Sequence, residues 1–540
     1  MKLTVAQLIA QSNSAFSKKA PVDTLHQTLA EYFYPQRADF TITRNWGNEL
    51  NDGNLDSYPI LVRRNLGDSI GAMARDGEWF KMGTSGDPDH AGRAWLEQAT
   101  KTQRYFMENR LSGFKRSTHQ GDHDYATFGQ CVISVEMSPL ADGLLYRNWH
   151  LKECAWFDDD AGNVAGLYRK WEPTLLDLIR LYPENGKGNL HRDVRKEVHK
   201  SPDKKLKCFH ICIPMAMYDE SRAEQYKYVS LTVDTEHLMI IEEIPMNYFM
   251  YVVPRFQTVS GSPYAYSPAT VIALPDARTL QAMTRTLLEA GERITRPPLV
   301  ATSDSIRGDI NLYADGVTYL DAEADKRTGG ALRPLETNTG GFPVGLTMKD
   351  GIREAIDQAF YTNKIDLPDS GGDYTAYEFS ERMKAYRRQN LPLFAPLESE
   401  YNGQLADVTF DLLMAHGMFG SPYDLPESLQ GNQVKFDFIS PLTEREEEKK
   451  ATLHNMNAQM IATAMELDPA AGENYNWDRS IRDAIQGNGS PTEWLNPYES
   501  VLETRRINAE QQDQMEQNQL AAEEANTQIV QKQAEEMVNA

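Results

Sequence analysis

Apolar residues recur along the first third of the chain with the period of a helix. Leu25, Leu29 and Phe33 stand at i, i+4 and i+8 behind a capping residue at Asp23, and Pro35 stops the segment. A second helix is predicted over 58–75, where Gly67 and Gly71 cost about 1 kcal/mol each relative to alanine. A third runs from about 89 to 111, with Trp95, Ala99, Thr102 and Phe106 in register and Gly113 closing it. From Cys131 the period changes to two. The runs CVISVEM, LLYRNWHL, ECAWFDD and GLYRKW, separated by the turns ADG and DDAGN, predict short strands. A helical piece over 174–182 follows, then a polar loop rich in Lys and His, then strand-like runs at 208–217, 226–233 and 238–244. Residues 115–256 therefore read as an antiparallel β-rich unit flanked by helices, an α+β arrangement.

Pro275 suits the first turn of a helix over 275–295, with Leu280, Met283, Leu287 and Ile294 on one face and Pro297-Pro298 ending it. Its roughly 20 residues span about 30 Å. Turns and short strands fill 299–343, and a second helix over 348–363 sets Ile352, Ile356 and Phe360 in register. Two helices bracketing a compact module predict a stalk with a head on its end. The polar loop DLPDSGGDY comes next. Behind it, a helical region over 376–416 is kinked by Pro392 and Pro396. It carries Leu397, Tyr401, Leu405, Val408 and Leu412 as a buried stripe. Residues 443–466 and 475–486 predict two further helices. The last thirty residues, rich in Gln, Glu and Ala, read as an exposed or self-associating helix or a frayed tail; their heptad pattern is too weak for a coiled coil.

Composition narrows the class. At 540 residues the chain exceeds what one core serves, so two to four domains are expected. With 41% apolar and 25% charged residues it is globular, which excludes disordered, collagen-like and disulfide-scaffold proteins. A net charge of −23 argues against a surface that grips nucleic-acid phosphates as a whole. Gln7, Gln11 and Asn13 interrupt the first apolar stretch and no window of eighteen apolar residues exists, so neither a cleavable leader nor a membrane span is expected. Cys131, Cys154, Cys208 and Cys212 fit a reducing compartment, most simply a cytosol.

Reactive constellations are sparse. Gly67-Asp68-Ser69-Ile70-Gly71 matches the nucleophile-elbow pattern G-x-S-x-G, which would make Ser69 a hydrolase nucleophile. The elbow requires a strand turning sharply into a helix, whereas helical pattern flanks this segment on both sides. Close helix packing at two glycines is the simpler reading. Cys208, His210 and Cys212 would share one face of a strand, but parallel side chains do not converge on a tetrahedral ion. His119, His123 and Asp124 in THQGDHDY, another conceivable ligand set, read as loop residues. No GxxxxGK[ST] is present and no GxGxxG follows a strand, so nothing supports nucleotide binding. The acidic-then-basic run over 444–450 and the basic clusters at Arg387-Arg388 and 192–205 read as solvated surface. No catalytic residue, metal or cofactor is expected.

Several passages, in a fixed order, carry a resemblance. They are EYFYPQRADF, SPYAYSPATVIALPDARTLQAMTRTLLEAGERITRPPLVA, INLYADGV, LRPLE, GIREAIDQAFYTNK, TAYEFSERMKAYRRQNLPLFAPLESEYNGQLADVTFDLLMAHGMFG and VKFDFISPLTEREEEKK. Across roughly residues 25–455 the chain resembles the head-to-tail connector (portal) proteins of podovirus-type tailed phages, its second half more closely than its first.

That resemblance implies a portal-type α+β subunit. A wing would occupy 1–267, stem helix 1 268–296, a small clip 297–346 and stem helix 2 347–366. A channel loop and long kinked wing helix would fill 367–440, a helical crown 441–498, and a C-terminal helix or barrel 499–540. The implied function is a dodecameric ring at one capsid vertex, a channel for DNA packaging and ejection that docks terminase and then tail adaptor. Implied partners are further copies of the chain, major capsid protein, scaffolding protein, terminase large subunit, tail adaptor or nozzle proteins, and double-stranded DNA passing without sequence specificity. No membrane and no cofactor are implied; the location would be the virion, and the host cytoplasm during assembly. Channel candidates are Lys349, Arg353 and Lys364, with Asp369, Ser370 and Asp373 in the polar loop, whose composition is not basic. Arg307, Lys326 and Arg327 are candidates for partner contacts on the clip. The alternatives are another virion structural protein, such as a tail adaptor or internal core protein, and a serine hydrolase using Ser69.

Overall fold

The computed structural model describes the chain apart from residues 1, 46, 51–52, 76, 87, 139–142, 184–187, 298, 302–331, 335–339, 363–394, 421–424, 432–433, 439–440, 467–468, 488–489, 491–493 and 539–540. The helices α1 (Val5–Phe33) and α2 (Tyr58–Ala74) come first. Strand β1 (Phe80–Thr84) and the helices α3 (His90–Glu108) and α4 (Phe114–Phe128) follow. Next are β2 (Val132–Met137), β3 (Leu144–Trp149), β4 (Cys154–Asp158), β5 (Val164–Trp171), α5 (Leu175–Leu181) and α6 (Arg192–Glu197). The β-rich stretch ends with β6 (Cys208–Pro214), the single turn α7 (Met215–Tyr218), β7 (Tyr228–Asp234), β8 (Met239–Met246) and β9 (Tyr251–Val252). Two long helices, α8 (Pro268–Thr295) and α9 (Gly341–Ala359), flank the short strands β10 (Leu299–Ala301) and β11 (Leu332–Pro334). A π-helical turn at Leu397–Asn402 leads into α10 (Gly403–Ala415). Strand β12 (Val434–Phe438) and the helices α11 (Pro441–Met465), α12 (Trp477–Gly487) and α13 (Tyr498–Val538) complete the chain.

These elements form two compact units. The first comprises Met1–Gly77 and Tyr105–His416, the second Glu78–Arg104 and Gly417–Ala540. Within the first, β4-β5-β6-β7-β8 make an antiparallel meander and β3-β2-β9 a smaller antiparallel sheet. One face of the meander, with Phe209, Ile211, Val229 and Leu231, packs on Leu8 and Phe16 of α1. Cys208 and Ile241 turn to the other face, against Leu175 and Leu178 of α5 and Val194 of α6. Within the second unit, β1 pairs with β12 in the register Phe80↔Phe438 to Thr84↔Val434, a pairing that the local pattern of neither segment announces. Phe80 meets Phe436 edge to face there.

Several boundaries differ from the sequence reading. Helix α1 is capped by Thr4 rather than Asp23: the Thr4 hydroxyl accepts from the Gln7 backbone N–H while the Gln7 side chain accepts from that of Thr4. Asp23 instead pairs with the buried Lys19 amine at 2.9 Å. Helix α8 likewise starts at Pro268, behind a Ser267 cap, and runs through Pro275. Pro21 and Pro275 both lie on exposed sides of their helices, where the carbonyl that each leaves unpaired can be hydrated. Helix α9 begins at Gly341 and ends at Ala359, earlier at both ends than expected.

The largest departure is α4. Residues 114–128 are a helix, not the opening of the β-rich unit, and His119, His123 and Asp124 sit on it rather than in a loop. Eleven of its fifteen residues are buried, so it is enclosed on nearly every side. Polar groups in such a helix need partners, and they have them. Asp124 takes two bonds from Arg37, at 3.0 and 2.8 Å, and one from Asn148 at 2.7 Å. Asp122 pairs with Arg75, and Arg63 donates to His123 Nδ1 at 2.8 Å. Helix α2 packs against α4 at the two glycines of the G-x-S-x-G match. A Cβ at Gly67 would stand 2.2 Å from His123 Nδ1, and one at Gly71 2.9 Å from Asp122 Oδ2. Replacing Gly67 by alanine should therefore cost about 2 kcal/mol through overpacking, read as a lower urea midpoint, whereas alanine at the open helical position Gly291 should cost nothing.

Candidate functional site

The pair α8 and α9 is the element that the sequence reading singled out as a stalk. At 28 residues α8 spans about 42 Å. The two helices run antiparallel, since Gln281 and residues 349–353 meet the same loop while Leu287 faces Gly345 farther along. Beyond their ends β10 and β11 pair antiparallel, Leu299↔Pro334 to Ala301↔Leu332, closing the base of the segment between them.

The root of α8 is bolted to the buried helix. Ser267 Oγ donates to the Ala126 carbonyl at 2.7 Å, and Thr270 Oγ1 to the Thr127 carbonyl at 2.7 Å. Gly129 ends α4 with φ +75°, and a Cβ there would stand 2.2 Å from the Tyr266 carbonyl carbon. Only glycine satisfies both the conformation and the approach.

Partway along the stalk, the turn into α2 is clamped between both helices. Gln281 of α8 accepts from the backbone N–H groups of Leu55 and Asp56 at 2.8 and 2.9 Å and donates to the Asp56 carbonyl at 2.7 Å. From α9, Lys349 Nζ and Arg353 Nη2 reach Asp56 Oδ2 at 2.9 and 2.8 Å. The Asp56 Oδ1 accepts from Tyr58 N–H, the Tyr58 hydroxyl donates to Asp357 at 2.6 Å, and Arg353 lies over the Tyr58 ring. Burial would raise the Asp56 carboxyl, but the bonds from Lys349, the Tyr58 N–H and Arg353 outweigh it and hold the group below the usual carboxylate range. That contribution to stability is complete above the unfolded value of about 3.9 and disappears as pH falls through the lower folded one. Burial and then the bond to Asp357 push the Tyr58 phenol up to about 12, so it stays a donor at neutral pH.

Two channel candidates thus lie in this clamp: Lys349 and Arg353 are half-buried and spend their charge on Asp56. Lys364, Asp369, Ser370 and Asp373 lie outside the described residues, as do Arg307, Lys326 and Arg327 and the pair Arg387-Arg388. The sequence reading missed Asp56, Tyr58, Gln281 and Asp357. Asp56-Ser57-Tyr58-Pro59 carries a helix-start signal, but nothing in it names partners on two distant helices. Along the pair the charges balance closely: three cations and three anions on α8, two cations and three anions on α9.

The remaining chemistry is structural. Ser69 lies within α2 and donates back to the Asn65 carbonyl at 2.7 Å, with no elbow around it. The His210 ring is held between the Tyr251 hydroxyl at 2.7 Å and Ser230 Oγ at 3.0 Å, and burial pushes it down to about 3. Cys208 and Cys212 are buried and free, as are Cys131 and Cys154. Among the described residues no helix is long and apolar enough to cross a membrane.

A chain in the virion of a native gene transfer agent particle is similar at 12% identity and TM-score 0.34, over 82% of this chain and 95% of the other. A chain from the neck of an empty particle of that kind gives 9% identity and TM-score 0.36, over 76% and 90%. The portal protein of Salmonella phage epsilon15 is 21% identical over 497 residues, which cover 89% of this chain and 87% of that one. A family model described as bacteriophage head to tail connecting protein matches residues 5–495. With nearly its whole length matched, the chain belongs to the bacteriophage head-to-tail connecting (portal) protein family, structural and non-enzymatic components of the virion at the junction of head and tail.

Proposed function

We propose that copies of this chain close into a dodecameric ring at one capsid vertex, forming the channel through which double-stranded DNA is packaged and ejected. The observation that carries the reading is the family match over residues 5–495. In this reading α8 and α9 are the stem, and the segment between them is the clip on which terminase and later tail adaptor dock. Residues 1–267 and the stretch ending in α10 form the wing, α11 and α12 the crown, and α13 a C-terminal extension. Capsid and scaffolding proteins are the partners during assembly in the host cytoplasm, before the ring becomes part of the virion.

The stem surface supports a neighbour on each side. Leu288, Ile294, Val344, Leu346 and Met348 are exposed on α8 and α9, and a groove of about 540 Å³ between the helices is lined by Met283, Leu287, Ile294 and Phe342. A band of this kind is what adjacent subunits of a ring would cover. The bore follows from charge. Each copy brings −23, and the stem cations are largely matched by anions, so phosphate contacts would be weak and interchangeable. A lysine-dense wall would instead hold DNA through counterion release.

Electron micrographs of the purified protein should show closed rings with a central hole and about twelve-fold symmetry; a protein that stays monomeric even beside scaffold and shell would overturn the reading. Leu288→Asp and Val344→Asp, at exposed positions, should lower the ring fraction in native mass spectrometry without unfolding the subunit. Lys349→Glu with Arg353→Glu should slow packaging and reduce DNA retention. Asp56→Asn is its control, since it weakens the same clamp, by about 2 kcal/mol, while leaving both cations in place. Should Asp56→Asn reproduce both the slower packaging and the reduced DNA retention, the two cations serve anchoring of the stem rather than contact with DNA.

A further inference from the structure

We infer that residues 192–207, the solvent side of α6 and the loop behind it, form a docking surface for the phosphate backbone of duplex DNA, separate from α8 and α9. The segment reads RDVRKEVHKSPDKKLK, seven cations against Asp193, Glu197 and Asp203, a net +4 in a chain of −23. Its sequence alone reads as solvated surface; the fold holds that surface in a fixed form.

The backbone is anchored from beneath. Val194 and Val198 stand one turn apart on α6 and, with Leu206, are buried against Leu175 and Leu178 of α5. With those three turned inward, Arg192, Lys196, Lys200, Lys204, Lys205 and Lys207 are exposed and Arg195 half-buried. The loop is tied down as well. The Leu175 N–H donates to the Lys204 carbonyl at 2.9 Å, the Leu176 N–H to that of Pro202 at 3.2 Å, and the Thr235 hydroxyl to that of Lys207 at 2.7 Å. A partner therefore meets a preformed backbone and orders side chains only.

The charges are available to it. Among the described residues only Lys204 of the seven is in an ion pair, with Glu197 at 2.9 Å. Lys349 and Arg353 contrast, since a phosphate there must compete with Asp56. Nor does the acidity of the remaining chain cancel the patch. Exposed charges are screened over about 8 Å at physiological salt, so a phosphate in contact responds to the local excess of cations.

The residue types select the partner. Five of the seven cations are lysines, point charges on flexible stems that suit phosphate oxygens and that protein–protein interfaces avoid. The segment has no Phe, Trp or Tyr to stack on unpaired bases, which favours a duplex over a single strand. Helix α6 has six residues, too few to lie along a groove and read base edges. Contact is therefore with the backbone and indifferent to sequence.

The test uses the full-length protein and a short labelled duplex of mixed sequence, followed by fluorescence anisotropy. Binding should weaken with salt, log K falling by about 0.9 per contacted phosphate for each tenfold rise. Lys200→Ala with Lys205→Ala should weaken it at least ~10-fold at low salt and make the slope shallower by about 2, with an unchanged circular dichroism spectrum. Lys18→Ala with Lys115→Ala, exposed on α1 and α4 and equal in charge, should change neither. Absence of salt-dependent binding, or an equal loss in the Lys18 and Lys115 pair, overturns the site. Displacement of the duplex by polyglutamate at equal charge concentration assigns the surface to an acidic protein and overturns DNA as its partner; a duplex that stays bound supports it. Both variant pairs leave α8 and α9 untouched, so their difference reads this surface whether or not the chain forms rings.

Discussion

The fold turns on one constraint: α4 is a helix buried on nearly every side that nonetheless carries Asp122, His123 and Asp124. Removing such groups from water is affordable only when each finds a charged or hydrogen-bonding partner. Each partner comes from a different stretch of chain. Arg37 follows α1, Arg63 lies on α2, Arg75 follows α2, and Asn148 lies on β3. Satisfying α4 thus fixes α1, α2 and β3 around it within the first unit. The same helix offers its last carbonyls to Ser267 and Thr270, so the long helix α8 is seated on the most constrained part of the unit.

A second consequence is mechanical. Helices α8 and α9 are held to the body at two levels, at the root through α4 and farther along through the turn at Asp56. The second attachment is electrostatic and draws on both helices together: Gln281 grips the turn backbone while Lys349 and Arg353 converge on one carboxylate oxygen. Charge-assisted bonds of this kind are directional and stronger than neutral ones. They tie the two helices to each other as well as to α2, because all three must move for any one to leave.

Much of this architecture was legible in the sequence, and the exceptions share a cause. The strands from β2 to β8 announce themselves by alternation, and of the stripe Leu397, Tyr401, Leu405, Val408 and Leu412 all but the half-buried Val408 are buried as the spacing implies. Helix α4 was not legible because its polarity is that of a loop; only distant arginines make it tolerable inside. The pairing of β1 with β12 joins segments at opposite ends of the chain, and periodicity carries no information about partners so far apart. Pro275 misled because a proline on the exposed side of a helix costs far less than one facing the core, and Asp23 because a carboxylate fit to cap a helix also fits a mid-helix pair with Lys19. For the site, Lys349 and Arg353 were visible as cations, while the carboxylate that engages them was not.

The clamp on α8 and α9 bears directly on how the proposed acidic ring would treat DNA. A lysine on a wall facing duplex would normally gain the full benefit of releasing a condensed counterion when it meets a phosphate. For Lys349 and Arg353 that gain is reduced, since a phosphate would have to compete with Asp56, which is buried and already oriented. Exchange of one anion for another leaves little net attraction, and little net attraction means no deep well along the path of the duplex. In the proposed channel, the residues that hold α8 and α9 together are therefore the same ones that keep their positive charge from becoming a brake.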